Sequence, residues 1–377
     1  MALTGTTFMV LVLAVTVAAF AFVVWRWGAV ARADPRSVTR RVARLAGLNL
    51  LVLLSAAVAL NRTFLFYADW TDLLGAAGVG VSARTLAAGG APVHALSPLG
   101  RPIVSSRFPL PVLPRGIGLG HRVIYFDITG RVSGMTGEVI VVLPSTYHDP
   151  TALNVHYPVI EAFHGYPGEP VQMLKTLPVP HAVDAAVARG RFAQSLIVAP
   201  QLEWPVDGDT ECINGSGVNA QVETWVAVDV PYWVEHTFRV RTDRAAWATL
   251  GYSAGGWCAA MTALRHPDHY GAAIVLGGYF RPEFTPLTPF PVSPALARSY
   301  DLVAAVKAHP PPLLVWLETS SSDPVSYPSS SAFIAAARDP LSVHALLLGH
   351  AGHRMSLWTG ELQAALSWLG STDPAFS

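Results

Sequence analysis

The stretch that most restricts how this chain can fold is Gly251-Tyr252-Ser253-Ala254-Gly255, extended by Gly256. It follows an apolar, strand-like run, Trp247-Ala248-Thr249-Leu250, and precedes a helix-like run from Trp257 to Arg265. In that context G-x-S-x-G describes a strand that turns into a helix around a single serine. So tight a turn leaves no room for side chains two places either side of the serine, and glycine meets that need. The serine is then held in a strained conformation with its hydroxyl exposed, facing the N-terminus of the new helix. Five letters alone are a weak signal in a chain with 31 glycines. The flanking strand and helix patterns give them weight, and together they imply a serine hydrolase or acyltransferase.

The chain around the motif reads as α/β. Val123–Ile128 and Glu138–Leu143 form a candidate hairpin across a Gly-rich turn. Buried-strand runs follow at Tyr157–Phe163, Gln194–Pro200, Ala272–Leu276, Leu313–Glu318 and Val343–Leu347. Helical patterns alternate with them at Pro180–Arg189, Gln221–Arg239 (with a break expected at Pro231), Tyr300–His309, Ser329–Arg338 and Met355–Leu369. This predicts a mostly parallel sheet with helices on both faces, the opening hairpin adding antiparallel edge strands. Ligands in such sheets bind at the carboxyl ends of the strands, where Tyr166, Ser253 and the residues after Glu318 and Leu347 fall.

A serine nucleophile needs a base and an acid to orient that base, in the order Ser, Asp or Glu, His. His353 lies between the last strand and the last helix, in Leu348-Gly349-His350-Ala351-Gly352-His353, and is the expected base. His350 is its local rival. Asp323, in a Ser-rich loop after the strand ending at Glu318, is the expected acid. Glu318 is the alternative acid, and an Asx-turn before Pro324 is the bland reading of Asp323. The oxyanion hole is expected from the backbone N–H groups of Ala254 and Tyr166. His164 is expected to support the oxyanion loop. His350 and His353 form H-x-x-H without a third ligand at zinc spacing, so neither a metal nor a cofactor is expected.

Three pieces carry a family resemblance: PVIEAFHGYPG, DRAAWATLGYSAGGWCAAMTALRHPDHYGAAIVLGGYF and GHAGHRMSLWTGELQAALSWL. From about His121 to Leu369 the chain resembles the Putative esterase family of α/β-hydrolases, which includes esterase D, feruloyl esterases and mycobacterial mycolyltransferases, in an actinobacterial-type membrane-anchored form. The resemblance implies Ser253 as nucleophile, His353 as base, N–H donors from Tyr166 and Ala254, and a structural His266. The last piece matches the family's glycine-histidine-x4-tryptophan pattern as Gly352, His353 and Trp358. Ser320-Ser321-Ser322 stands where the family often places a glycine ahead of the acid, so the chain departs from the family pattern at Asp323.

The N-terminus explains why 51% of residues are apolar and only 13% charged. Residues 7–25 carry no charge and are long enough to cross a bilayer. Residues 45–60 form a shorter run that would span with thinning or with Arg62 snorkelling. Arg26, Arg32, Arg36, Arg40, Arg41 and Arg44 lie between them against a single Asp34. Arg-rich short loops stay cytoplasmic, which predicts a multi-pass cell-membrane protein with an extracytoplasmic catalytic domain. A cleaved signal peptide competes for the first run, although its start lacks Lys and Arg. A buried or interfacial second helix would invert the orientation. The expected organisation is an anchor over 1–61, an Ala/Gly/Pro-rich linker over 62–118 holding a short amphipathic piece near Tyr67–Leu74 and no chemistry, and a catalytic domain over 119–371.

Balanced charge, 25 basic against 25 acidic residues, points away from nucleic acid. The two cysteines, Cys212 and Cys258, are expected to form a disulfide pinning a loop beside the active site. Gly277–Ser299 is long and Pro-rich for a connection. It reads as a substrate wall bearing Tyr279, Phe280, Phe284 and Phe290, or as a surface excursion packed on itself. Trp204, Trp225, Trp233 and Trp257 are expected in the core rather than in a pocket. The substrate class is an ester, lipid or glycolipid among the candidates. Acyl transfer to a sugar or glycerol hydroxyl is the alternative, and a non-catalytic envelope-binding protein the second.

Overall fold

The computed structural model describes residues 1–28, 34–75, 82–88, 122–206, 208–217 and 219–377. The linker expected over 62–118 lies outside the described residues at 76–81 and from 89 onward, as does His121. Two compact units divide the chain: Met1–Ser82 with Gly349–Arg354, and Ala83–Leu348 with Met355–Ser377.

The larger unit is built on a nine-stranded mixed sheet. In chain order its strands are β1 (Ser82–Ala88), β2 (Val123–Thr129), β3 (Thr136–Val142), β4 (Val159–Phe163), β5 (Leu196–Pro200), β6 (Trp247–Tyr252), β7 (Ala272–Leu276), β8 (Leu314–Ser320) and β9 (Ser342–Gly349). Their spatial order is β1-β9-β8-β7-β6-β4-β5-β3-β2. The strands from β5 to β9 are parallel neighbours. The β2–β3 hairpin pairs antiparallel at one edge, with Val123 opposite Val142, and β3 joins β5 antiparallel. This is the α/β-hydrolase arrangement expected. The central strands β4 to β8 are buried at every residue, which is why they read as continuous apolar runs rather than alternating ones. Trp225, Trp247, Trp257 and Trp316 are the largest fully buried side chains of the core.

Several helices differ in extent from expectation, among them the one expected over Ser329–Arg338, which runs from Tyr327 to Ala336. The helix expected over Gln221–Arg239 is built as Val222–Thr224, a π-helical turn Trp225–Asp229, and Val230–Thr237. The widened turn immediately precedes Pro231, which lacks the N–H needed by a regular turn. The helix expected from Tyr300 starts at Leu302, where the Asp301 carboxylate accepts the Ala304 N–H. A further short helix, Pro294–Ser299, begins with Ser293 as its cap and Pro294 in its first turn.

In the smaller unit, helices Thr6–Trp25 and Pro35–Phe64 are both long and apolar enough to cross a membrane. They pair through a 2.8 Å hydrogen bond between Thr16 Oγ1 and Ser55 Oγ. The second helix is a correction to the short span expected at 45–60. Asp34 caps it by accepting the Ser37 N–H, Pro35 opens it, and Arg36, Arg40, Arg41 and Arg44 lie on its opening turns rather than in a loop. Hydropathy saw only its apolar part, whereas the cap and proline mark its true start. At 30 residues it is about 45 Å long, and its charge-free stretch is the part between Arg44 and Arg62. Leu65, at φ 52°, ends it, and a short helix Trp70–Gly75 follows.

Candidate active site

Ser253 stands between β6 and the helix Ala254–Arg265 with φ 55° and ψ −126°. A non-glycine residue held there is strained, and the surroundings must enforce it. Its N–H donates to the Leu276 carbonyl of β7 at 2.9 Å, and its carbonyl accepts from Trp257 N–H at 3.0 Å. The flanking glycines explain why the backbone fits. A Cβ on Gly251 would overlap the Gly255 carbonyl oxygen, and one on Gly255 would overlap the carbonyl oxygens of Phe163 and His164.

The loop after β4 runs beside the serine. A Cβ at Gly165 would stand 3.3 Å from Ser253 Cβ. Tyr166 from this loop and Ala254 from the first turn of the elbow helix line one small cavity together. His164 braces the loop: its Nδ1 is 2.9 Å from the Gly165 carbonyl oxygen. Burial drives its pKa down to about 4, so the imidazole stays neutral at neutral pH. A carboxylate oxygen of Glu203 accepts the Gly168 N–H at 2.6 Å from the other side.

Both candidate acids lie at the carboxyl end of β8. Asp323 is buried in the turn beyond the strand. Its two oxygens accept from Val325 N–H at 2.9 Å and Ser326 Oγ at 2.7 Å. The Asx-turn geometry is therefore present. Glu318, within the strand, is buried, and its pKa is pushed up to about 8, first by desolvation and then by the charges of Asp323 and Glu361. The Trp358 side chain hydrogen-bonds to it, and the Trp358 ring stacks on Tyr252 at 5.2 Å. The family pattern had marked Trp358 without showing what it touches.

His353 lies in Gly349–Arg354, within the smaller unit, and its N–H donates to the Leu65 carbonyl at 2.7 Å. In the same segment His350 is paired with Asp69, with 2.8 Å between Nδ1 and Oδ2. His266 is bound to Glu223, which also takes Arg265 and Tyr300. Among the described residues no group of His, Cys, Asp and Glu is arranged to hold a metal.

A family model described as Putative esterase matches residues 133–368. The chain belongs to the Putative esterase family. Membership makes it a hydrolase of carboxylic esters. Among solved structures, this esterase is similar to an S-formylglutathione hydrolase from Agrobacterium tumefaciens, at 14% identity and TM-score 0.54 over 67% of this chain and 95% of that one. It is also similar to FphF, a fluorophosphonate-binding serine hydrolase of Staphylococcus aureus, at 14% identity and TM-score 0.52 over 66% and 98%. A ferulic acid esterase aligns at 19% identity and TM-score 0.52 over 66% and 97%. At such identities the likeness is one of fold. No curated protein matches the sequence.

Cys212 and Cys258 of the esterase are disulfide-bonded, tying the loop before residue 213 to the elbow helix. Glu211 and Cys212 both have positive φ, 49° and 50°. The Gly277–Ser299 excursion packs on this loop: Tyr279 Oη donates to Glu211 at 2.6 Å, and Glu283 N–H donates to its other oxygen at 2.9 Å. Tyr279, Phe280 and Phe290 are buried in the core, with Tyr279 stacked on Trp257 and Phe280 on Phe333, and Phe284 packs partly buried against it. The aromatics therefore belong to the core rather than to a substrate wall or to an excursion packed on itself. Trp225 and Trp257 are in the core as expected, with Trp204 and Trp233 packed against it.

The cavity beside Tyr166 and Ala254 carries a feature missed in the sequence. Glu203, Asp209 and Glu211 line it together with His164. Burial raises the pKa of Asp209, and burial together with Asp209 raises that of Glu211 well above the usual range. These acids sit in an irregular loop with no periodicity, and only the disulfide hinted that the loop comes near the elbow.

Proposed function

We propose that the chain is a membrane-anchored, extracytoplasmic serine esterase in which Ser253, His353 and Asp323 form the catalytic triad. The observation that carries this reading is the strained backbone of Ser253 at the junction of β6 and its helix. Ser253 Oγ attacks the ester carbonyl carbon while His353 takes its proton. The N–H groups of Tyr166 and Ala254 stabilise the oxyanion. The carbon–oxygen bond to the alcohol then breaks, the alkoxide takes the proton from His353, and an acyl-enzyme remains. Water, activated by His353, releases the acid. Asp323 orients the imidazole. It is favoured over Glu318 because Glu318 is held protonated near neutral pH beneath Trp358, and a neutral acid cannot stabilise an imidazolium.

Membrane anchoring is supported by the outward apolar faces of the two long helices, where Val10, Phe20, Leu50 and Leu53 are each more than half exposed. Arginines between the spans favour a cytoplasmic connection and an external esterase. Lipid or cell-envelope esters are the substrates such a position offers. The cavity beside Ala254 favours a hydroxyl-bearing alcohol group over an apolar chain, because His164 in its lining has a buried Nε2 without a hydrogen-bond partner among the described residues. The same observation favours a second reading, acyl transfer to a sugar or glycerol hydroxyl in place of water.

Turnover of a soluble ester by the full-length chain in detergent tests the proposal. Ser253→Ala and His353→Ala should each lower kcat by about 10⁴-fold or more. Wild-type turnover in Ser253→Ala would overturn it. Appearance of glycerol or trehalose esters when those alcohols are added would favour transfer.

A further inference from the structure

Residues 65–72 precede the matched family segment and carry no role in the chemistry above. Yet they hold the segment that bears His353, and they belong to the same compact unit as Gly349–Arg354. Asp72 is buried at 1% exposure. One of its oxygens, Oδ2, accepts from Gly352 N–H at 2.9 Å and from Arg354 Nη1 at 2.7 Å, the residues immediately before and after His353. It also accepts Ala68 N–H at 2.9 Å, which folds the segment around the carboxylate. His353 itself is tied through its N–H to Leu65 O at 2.7 Å. Arg354 further donates to Phe66 O at 3.0 Å and lies 4.8 Å from the Tyr67 ring centroid. The approach is close enough that a Cβ on Gly352 would overlap the carbonyl oxygens of Leu65 and Phe66. Asn61, on the last turn of the second long helix, clips Tyr67 at both its N–H and its carbonyl, at 2.8 and 3.0 Å.

We propose that Leu65–Asp72 is the positioning element of the His353 segment, with Asp72 as its central positioning residue. The proposal rests on His353 being the catalytic base. Three consecutive residues centred on that histidine are fixed by one carboxylate and two backbone carbonyls. The fixing segment continues directly into the second long helix through Asn61. The anchor is thereby part of the catalytic machinery and not a tether, since a base displaced by about 1 Å loses on the order of 10²-fold in rate. Asp72 acts through the backbone placement of the residues flanking His353.

The test uses the full-length protein in detergent with Asp72→Ala, Asp72→Asn and, as reference, His353→Ala. Asp72→Ala should lower kcat on the order of 10²-fold and leave KM for a small soluble ester within about twofold, because it misplaces the base without touching the binding surface. Asp72→Asn keeps an acceptor for Gly352 N–H and should recover part of kcat. Near-UV circular dichroism and an intact Cys212–Cys258 bond establish that the larger unit is folded. Should Asp72→Ala fail that check, Asp72→Asn decides alone, with kcat lowered at least tenfold at unchanged KM as the supporting result. Wild-type kcat in the Asp72 variants beside an inactive His353→Ala would overturn the positioning role while leaving the triad intact. An active His353→Ala would overturn both, at the level of the base.

Discussion

At the elbow, Ser253 is held by atoms close to it in the chain and by the adjoining strands. Gly251 and Gly255 meet across the turn, and the Ser253 N–H reaches the neighbouring strand β7. At the His353 segment the restraining atoms lie 280 or more residues away in sequence, in Leu65–Asp72. One region carries its own geometry, and the other borrows it. A local device can be moved from fold to fold with its five letters. A borrowed one depends on which segment is packed against it.

The sharpest way to break the local half is Gly255→Ala. Its new methyl has no space beside the Phe163 and His164 carbonyl oxygens, and both are backbone atoms of a buried strand end that cannot yield cheaply. A loss of more than about 4 kcal/mol is expected in chemical denaturation, together with loss of the reactive serine. A well-folded, active variant would show that the turn is less constrained than its geometry implies.

Removing the disulfide with Cys212→Ser and Cys258→Ser sharpens the comparison, because the elbow helix also borrows one distant tie. The bond closes a separation of 46 residues, for which about 2–4 kcal/mol of stability is expected to be lost. Denaturant midpoints of the oxidised wild type and the double variant measure it.

Below about pH 4.5, where the Glu318 carboxyl is protonated folded and unfolded alike, Glu318→Gln has the smallest expected effect of all. In the folded chain this carboxyl titrates near 8, whereas unfolded it titrates near 4.5. The folded state therefore holds a proton that the unfolded state has lost across that interval. The stability this proton contributes is fully present below about pH 4.5 and is lost as pH rises through about 8. The variant should show a flatter profile of thermal midpoint against pH between those values. Parallel profiles would mean that Glu318 is ionised in the folded protein, which would return it as a candidate acid.

The sequence was legible where contacts are local or periodic. The buried strands, the tight turn at Ser253 and the pairing of the two cysteines all follow from patterns a few residues long. It was illegible where the partner is remote. Asp72 sits in a stretch with no motif, and nothing in Tyr67–Leu74 announces that it meets Gly352 and Arg354. The acids Glu203, Asp209 and Glu211 were hidden for the same reason, in an irregular loop. The second long helix was read too short because arginines on its opening turns looked like a loop, although Asp34-Pro35 had marked the start.

The central claim is that Ser253 is the nucleophile, and a fluorophosphonate adduct located by peptide mass spectrometry tests it most directly. The full-length protein in detergent should gain one covalent adduct, on the peptide bearing Ser253, and Ser253→Ala should gain none. An unlabelled wild type, or an adduct on any other residue, would contradict the account.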